Sequence, residues 1–320
     1  MTCLGVVAQD RVAVVRDRDR ADIADAIEEQ VRLTGAELRS WVMEDLGPRP
    51  LTSFPRGLAD ELLRYQPTAS FFVGGTLPGE IAFRMPLVQL LNHQLKARHG
   101  HMVNAERRLM LQGMSADYEQ VYRVTRAVYE AVRHASRIEV GTSLGTELTA
   151  TFTSSHRWVP CDARYHEQGR WGNLPEGEVF TAPLSVDGLL VGEEMGDSFD
   201  ARYGVFEEPV RLRVKEGRVT SVEMPGHPDL EAEIRAYFAR HPCSGRVGEF
   251  AIGTNVGLAE IIGNFTQDEK FPGVHVAFGN PYGEETGADW DCPTHVDVLA
   301  SHATVSVDGR RIMEDGRILV

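Results

Sequence analysis

Two short apolar segments near the end of the chain each carry side chains that can bind a metal ion. They enclose the stretch GVHVAFGNPYGEETGADWDCPTHVDV, residues 273–298, with His275 in the first segment and Tyr282 in the loop between them. Because side chains alternate across a strand, His295 and Asp297 point to the same face. Imidazole and carboxylate together suit zinc, manganese, iron or cobalt. The spacing therefore predicts a metal site on a strand, with a surface pair on an exposed face as the alternative.

The composition restricts the class of protein. A chain of 320 residues exceeds one typical domain, so two domains are expected. The formal net charge of −14 argues against nucleic acid as a partner, because phosphates would be repelled. No apolar run is long enough to cross a bilayer, and the N-terminus lacks the apolar core of a signal peptide. A soluble, cytoplasmic protein that binds no membrane is the expectation.

Four cysteines are scattered along the chain without CxxC spacing: Cys3, Cys161, Cys243 and Cys292. This arrangement indicates neither a disulfide framework nor a zinc knuckle. It agrees with a reducing compartment.

Strand and helix patterns alternate in the first part of the chain. Apolar runs at 11–15, 38–43, 69–73 and 101–104 predict strands, and helical spacing at 21–34, 58–65, 81–98 and 115–134 predicts helices. This order is typical of an open α/β sheet. From about Ile138 strands dominate, with hairpin signals at Glu216-Gly217, Asp308-Gly309 and Asp315-Gly316. We therefore predict an N-terminal open α/β domain, residues 1–136, and a mixed α+β metal-binding catalytic domain, residues 137–320.

Three histidines near the end of the fourth helical pattern form a second candidate cluster. His93 lies within the pattern, and His99 and His101 flank a glycine at its end. Imidazolium is favourable near a helix C-terminus, so we interpret the three as helix-end and surface residues.

Two further carboxylates lie beside apolar strands of the second half. Glu178 directly precedes an apolar run, and Glu249 stands between Gly248 and a run that ends in Gly-Thr-Asn. A buried charge needs a partner, and a metal ion would supply one. Taken singly, a solvated strand end for Glu178 and an ion pair with Arg246 for Glu249 explain them equally well.

Together these segments resemble the aminopeptidase T family of thermophilic-type metallo-aminopeptidases, which includes aminopeptidase S. Residues 173–183 are similar to the family's NLPxGEVFxAP, residues 248–255 to GELGIGTN, residues 275–282 to HxAxG with a following tyrosine, and residues 295–297 to HxD. The resemblance implies a homodimer that holds two divalent metal ions (Zn, Mn or Co) and releases N-terminal amino acids from a small peptide or aminoacyl substrate. It implies metal ligands at Glu178, Glu249, His275, His295 and Asp297.

The resemblance also implies catalytic roles for Glu269 and Tyr282. The family has an Asp-Glu-Asn-Ala run before HxAxG, whose glutamate is functional. Here the run reads Asp268-Glu269-Lys270-Phe271-Pro272-Gly273 and is one residue longer, so Glu269 is its counterpart only by order. The chain is also shorter than a typical member, mostly between His275 and His295 and at the N-terminus. A shorter loop near the site leaves the substrate open.

A second family has the same fold and holds a single iron. The ring-cleaving 2,5-dihydroxypyridine dioxygenases bind Fe(II) with two histidines and an aspartate, and the segments around Arg170-Trp171 and Cys292–Asp297 resemble theirs. Those enzymes have a histidine in place of Glu249 and an apolar residue in place of Glu178. Both differences favour the two-metal hydrolase, and the dioxygenase remains the alternative.

Overall fold

The computed structural model describes residues 2–320. Its strands, in chain order, are β1 (Arg11–Arg16), β2 (Glu37–Val42), β3 (Ala69–Gly74), β4 (Arg98–Val103), β5 (Arg137–Gly141), β6 (Glu147–Thr151), β7 (Val159–Cys161), β8 (Trp171–Asn173), β9 (Glu178–Thr181), β10 (Ser185–Gly192), β11 (Glu194–Met195), β12 (Val210–Lys215), β13 (Arg218–Glu223), β14 (Val247–Gly253), β15 (Gly273–Gly279), β16 (His295–Ser301), β17 (Thr304–Val307), β18 (Arg310–Glu314) and β19 (Arg317–Ile318).

Within residues 2–320 the helices are fewer than the strands. They are α1 (Ala21–Leu33), α2 (Met43–Leu46), α3 (Arg56–Tyr65), α4 (Ile81–Val88), α5 (Arg107–Leu111), α6 (Tyr118–Val132), α7 (Asp200–Tyr203), α8 (Pro228–Phe238), α9 (Phe265–Asp268) and α10 (Gly283–Thr286), with a π-helical turn at Gln89–Gln94 and a 3₁₀ turn at Gly113–Ser115. No helix within residues 2–320 has the length and apolar character that crossing a membrane requires.

The first compact unit runs to Tyr118 and also includes Ala163–Glu176. Its single sheet has the order β2-β1-β3-β4-β8, and every pair of neighbours is parallel. Strand β3 is buried along its whole length, as expected for the interior of a parallel sheet covered by helices. The apolar faces of α3 and α4 pack on this sheet through Leu58, Leu62 and Phe83. The predicted open α/β architecture of this part is confirmed.

The second unit comprises Glu119–Asp162 and Gly177–Val320. It contains two antiparallel sheets, with the orders β13-β12-β10-β6-β5-β17-β18-β19 and β11-β16-β15-β14-β9-β7. One large apolar core joins them and takes in Val128 and Val132 of α6 and Ile234 and Tyr237 of α8. This mixed α+β architecture also agrees with the prediction. The sequence placed one boundary near residue 136, whereas the compact units change between residues 118 and 119 and again at 162/163 and 176/177.

The three hairpin signals all form turns. At Glu216-Gly217 and at Asp308-Gly309 both residues have positive φ, 51° and 68° in the first pair and 48° and 83° in the second. Turns of this kind match the twist of the strands they join, which explains the sequence preference. Asp315-Gly316 joins β18 to β19 in the same way.

The interpretation of His99 and His101 as surface residues was wrong. Both lie on β4 and are buried, while His93 is exposed. His99 Nδ1 lies 2.9 Å from the Ser70 hydroxyl, and its Nε2 lies 3.1 Å from His101 Nδ1. Burial lowers the pKa of His99 to about 3, so the ring is neutral and satisfied by hydrogen bonds. The helical pattern ended earlier than predicted, and β4 begins at Arg98.

The cysteine pattern was also misread. Cys243 and Cys292 form a disulfide, although 49 positions separate them in the sequence, and Cys3 and Cys161 are not disulfide-bonded. The pair joins the turn after α8 to the segment that precedes β16. Cysteine spacing could not reveal this pairing, because it depends on how the sheet brings distant segments together.

Candidate metal centre

Four neighbouring strands carry the five predicted metal-ligating residues on one face of the six-stranded sheet. In the register, Glu249 of β14 lies opposite Ala277 of β15, and Ala277 lies opposite Asp297 of β16. His275 precedes Ala277 by two positions and therefore shares its face. The small Ala277 side chain leaves the space between the two carboxylates open.

The remaining two residues follow from the same alternation. His295 shares the face of Asp297, two positions away on β16. Glu178 of β9 lies opposite Gly253, which is four positions from Glu249 on β14. The other face of these strands carries apolar side chains of the main core, among them Phe250, Val276, Val296 and Val298. Packing of that face holds the polar face in a fixed orientation.

Two groups of these side chains are close enough for each to hold a cation. We call Glu178, Glu249 and His275 position A, and Glu249, His295 and Asp297 position B. Within each group the ligand atoms lie within 4.8 Å of one another. Glu249 belongs to both, because its Oε1 lies 3.5 Å from His275 Nε2 and its Oε2 lies 3.8 Å from His295 Nε2.

The two histidines carry protons that metal binding would displace. Burial by itself lowers the pKa of His275, but contact with Glu249 and the charges of Glu178 and Asp297 outweigh it and raise the pKa to about 9. Burial also lowers the pKa of His295, but the Asp297 and Glu249 carboxylates outweigh it and raise the pKa to about 10. The excess of buried negative charge attracts cations to this face.

Glu269 and Lys270 lie at the edge of the same group. Glu269, which follows α9, forms a further cluster with His275 and Asp297. The Lys270 ammonium lies 2.6 Å from Glu178 Oε1 and 2.8 Å from Glu269 Oε1. Burial raises the pKa of Glu269 to about 8, although the charge of Lys270 acts in the opposite direction.

Tyr282 stands at the mouth of the cluster. Its ring centroid lies 4.7 Å from that of His295 and 6.0 Å from that of Phe180, and 41% of the residue is exposed. Partial burial of the residue and the neighbouring Glu249 and Asp297 charges raise its pKa well above the ordinary value. The hydroxyl therefore keeps its proton and can donate a hydrogen bond.

The sequence profile of the thermophilic metalloprotease (M29) family matches residues 100–312. The chain belongs to this family. Membership makes it a metal-dependent peptidase, a hydrolase, and implies a divalent metal ion. A comparison with curated proteins finds no match.

Two solved structures have the same fold as this chain. The structure of 2,5-dihydroxypyridine dioxygenase from Pseudomonas putida KT2440 has a TM-score of 0.69 at 17% identity, over 99% of this chain and 94% of that one. Wild-type AmpT from Thermus thermophilus has a TM-score of 0.68 at 18% identity, over 99% of this chain and 96% of that one. At these identities the likeness concerns the fold alone.

The side chains on this face fit the divalent ion that M29 membership implies. Glu178 Oε2 is buried, has no hydrogen-bond partner and lies 3.4 Å from His275 Nε2. An unsatisfied buried carboxylate oxygen beside an imidazole nitrogen is a site where a cation is favourable. Three carboxylates and two imidazoles are ligands that zinc, manganese and cobalt accept.

All seven residues selected from the sequence lie in this one group, and their individual roles stay predictions. Two features of the group were missed. Lys270 was considered only as part of a run, although a lysine three positions before the buried strand β15 was a usable signal. The buried carboxyl pair of Glu194 and Asp268 had no sequence signal, because Glu194 lies on the short strand β11 far from Asp268 along the chain.

Proposed function

We propose that this metal-dependent peptidase is an aminopeptidase that uses two divalent cations, Zn, Mn or Co. One observation carries the proposal. Glu249 presents one oxygen to position A and the other to position B, and each position adds a histidine and a second carboxylate. A carboxylate has two oxygens and can bridge two cations, whereas a neutral imidazole offers one nitrogen to one metal.

In this proposal Glu178, Glu249 and His275 hold one cation, and Glu249, His295 and Asp297 hold the other. When bound, the cations would supply Lewis acidity for activating a water molecule and the scissile carbonyl. The protein's own contribution is to fix the ligands on four adjacent strands.

Glu269 is the proposed general base, and later the general acid toward the leaving amine. It lies within the same cluster as His275 and Asp297, which puts its carboxylate beside the cations rather than in solvent. A pKa near 8 is close to neutral pH, where a group can both accept and return a proton. The contact with Lys270 orients the carboxylate.

Tyr282 is the proposed hydrogen-bond donor to the oxygen that becomes negative during attack. Its raised pKa keeps the phenol protonated, and its ring contacts with His295 and Phe180 limit the motion of the side chain. A donor already oriented toward the developing charge stabilises the transition state without reorganisation.

The substrate in this proposal is a short peptide or an aminoacyl derivative with a free amino terminus. The amino terminus would bind one of the cations as a free amine or pair with a carboxylate at the edge of the group, such as Glu269. A homodimeric state and a cytoplasmic location belong to the same proposal. The disulfide is more typical of oxidising compartments, so the location needs its own measurement.

The alternative activity is ring cleavage with a single Fe(II). His275, His295 and Asp297 by themselves form a two-histidine, one-carboxylate set, which is the usual ligand set of such iron sites. Glu178 and Glu249 lie in the same group and add two carboxylates that a single iron does not require. This surplus of carboxylates favours hydrolysis.

The test of the proposal is release of amino acids from short peptides. Metal-free protein is loaded with Zn²⁺, Mn²⁺ or Co²⁺ and given pairs of peptides that differ only in acetylation of the amino terminus. We expect release from the free peptides only. Glu249→Gln should lower kcat/KM by at least about 100-fold, because even residues behind a metal ligand contribute 10–100-fold.

The matched control is Glu223→Gln, an exposed glutamate on β13, which should retain full activity. Equal cleavage of acetylated peptides would identify an endopeptidase instead. Oxygen consumption with a dihydroxylated pyridine and Fe(II), without hydrolysis under any metal, would establish the alternative.

A further inference from the structure

Lys270 contributes a buried positive charge to the polar face, a feature unusual for a site that is to bind cations. The residue is 1% exposed and is among the largest fully buried side chains of residues 2–320. Its ammonium pairs with Glu178 Oε1 and with Glu269 Oε1 at 2.6 and 2.8 Å. Burial of a long cationic side chain is rare unless carboxylates surround it.

The backbone around Lys270 holds the ammonium in this place. Lys270 accepts a hydrogen bond from the backbone N–H of Asn255, at 3.0 Å, and the segment runs closely over β14. Gly253 permits this approach, because a Cβ there would lie 2.0 Å from the Phe271 carbonyl oxygen. Since Gly253 is also the register partner of Glu178, the lysine is positioned directly beside that carboxylate.

Lys270 affects the two cation positions differently. It occupies one oxygen of Glu178 and leaves only Oε2 facing His275, so Glu178 can act in position A through a single oxygen. Position B contains neither Glu178 nor Glu269, the two carboxylates that pair with the ammonium, and the Lys270 charge acts on it only through Asp297. A cation in position A would therefore be close to the Lys270 charge, which the ligand set of that position does not include.

The sum of the charges on this face also indicates that the second cation binds less favourably than the first. When Glu178, Glu249, Glu269 and Asp297 are ionised and both histidines are neutral, as metal binding requires, the Lys270 ammonium leaves a net charge of −3. One divalent cation leaves −1, and a second makes the site positive. Without the ammonium, two divalent cations would make the site neutral.

We propose that Lys270 makes the two positions unequal, so that position B fills first and position A binds its cation weakly. This inference rests on the proposed two-cation site and concerns how that site is loaded. Lys270 is a positioning residue here, since it acts through Glu178. Repulsion between a single and a double charge a few ångströms apart supports a difference of roughly 100-fold in Kd.

The experiment is a titration of metal-free protein with Mn²⁺ at a fixed pH, with free Mn²⁺ followed by electron paramagnetic resonance. We expect two binding events whose Kd values differ by roughly 100-fold. Glu178→Gln should remove the weak event and retain the tight one, and His295→Ala should remove the tight one. His93→Ala, an exposed histidine of the other unit, is the control and should change neither.

Variants of Lys270 test the cause. Lys270→Met and Lys270→Gln should bring the two Kd values within about 10-fold of each other by tightening the weak event, whereas Lys270→Arg should keep them apart. Two equal events in the unmodified protein would overturn the inference, and so would an unchanged separation in folded Lys270→Met or Lys270→Gln. If both variants fail to fold, Glu178→Gln and His295→Ala still decide whether the weak binding event belongs to position A and the tight one to position B.

The titration uses no substrate, so its outcome is separate from that of the proposed activity. Hydrolysis by a protein with two equal positions would leave the aminopeptidase proposal intact and remove this inference. Unequal positions in a protein without hydrolysis would do the reverse.

Discussion

Two carboxyl groups of the second unit, Glu194 and Asp268, are both buried and interact electrostatically. Glu194 is 0% exposed. Asp268 Oδ2 accepts hydrogen bonds from the backbone N–H groups of Ile262, Gly263 and Asn264, at 2.7, 2.7 and 3.2 Å. Three such donors favour the charged form, so Asp268 is the carboxylate and Glu194 is the neutral acid.

This pair predicts a pH dependence of stability. Burial and the Asp268 charge raise the pKa of Glu194 from 4.5 to about 10. Between these values the folded protein holds a proton that the unfolded chain has released, so the free energy of unfolding falls as pH rises. The slope from one such group is at most about 1.4 kcal/mol per pH unit.

Glu194→Gln should remove this slope, because the amide keeps the shape of the side chain and can donate to Asp268 without titrating. The measurement is urea denaturation from pH 5.5 to 8.5, in which the variant should gain stability relative to the parent as pH rises. Glu223→Gln, on the exposed side of β13, should follow the parent. Parallel curves for Glu194→Gln and the parent would contradict the raised pKa of Glu194.

Among the elements, β14 shows how a local irregularity serves the site. The register of β14 against β15 shifts between Val247 and Glu249, which makes Gly248 the extra residue of a bulge. A Cβ on Gly248 would lie 2.2 Å from the Gly279 carbonyl oxygen. Bulges turn a side chain toward a new direction, and this one sets the face on which Glu249 lies.

The disulfide acts at the same scale, since it ties the turn after α8 to the segment that leads into β16. Next to it, the Ser244 and Thr294 hydroxyls lie 2.9 Å apart. Cross-linking positions 49 residues apart restricts the unfolded chain. The chain-entropy relation gives a stabilisation of about 4 kcal/mol for a closed loop of this length.

Reduction should therefore lower the denaturation midpoint clearly. The measurement is thermal unfolding with and without a reductant, and the double variant Cys243→Ser/Cys292→Ser should match the reduced parent. The double variant is also the control, because the reductant should leave it unchanged. An oxidised parent no more stable than the double variant would show that the cross-link contributes nothing.

For the whole molecule, the chain path between the two compact units decides which fragments can fold. Helix α6 precedes residue 136, yet its Val128 and Val132 belong to the core of the second unit. Residues 163–176 lie within the second half of the sequence but supply β8 to the sheet of the first unit. A cut near residue 136 therefore removes part of one core and retains part of the other.

We expect a fragment of residues 137–320 to be unfolded. A fragment of residues 119–320, with 163–176 replaced by a Gly/Ser linker of equal length, should instead unfold cooperatively, because it contains every segment of the second unit. Circular dichroism during thermal denaturation measures both. A cooperative transition in the shorter fragment would support an independent domain from residue 137 onward.

Much of the local structure was predictable because it depends on neighbours along the chain. Apolar runs at β1 and β3, helical spacing at α1 and α3, and the Asp-Gly turns all reflect short-range geometry, and the structure has each of them. The position of His295 and Asp297 on one face of one strand was fixed in the same way. Resemblance to a family then added Glu178, Glu249 and His275, which local pattern alone left ambiguous.

The tertiary structure decided everything that depends on contacts between distant segments. It paired Cys243 with Cys292, buried His99 and His101, placed Lys270 against Glu178, and brought Glu194 to Asp268. These outcomes follow from the order and register of strands in a sheet, and a single sequence contains no local signal for either. The sequence by itself determined which residue types face the same way, and the packed sheet determined which of them meet.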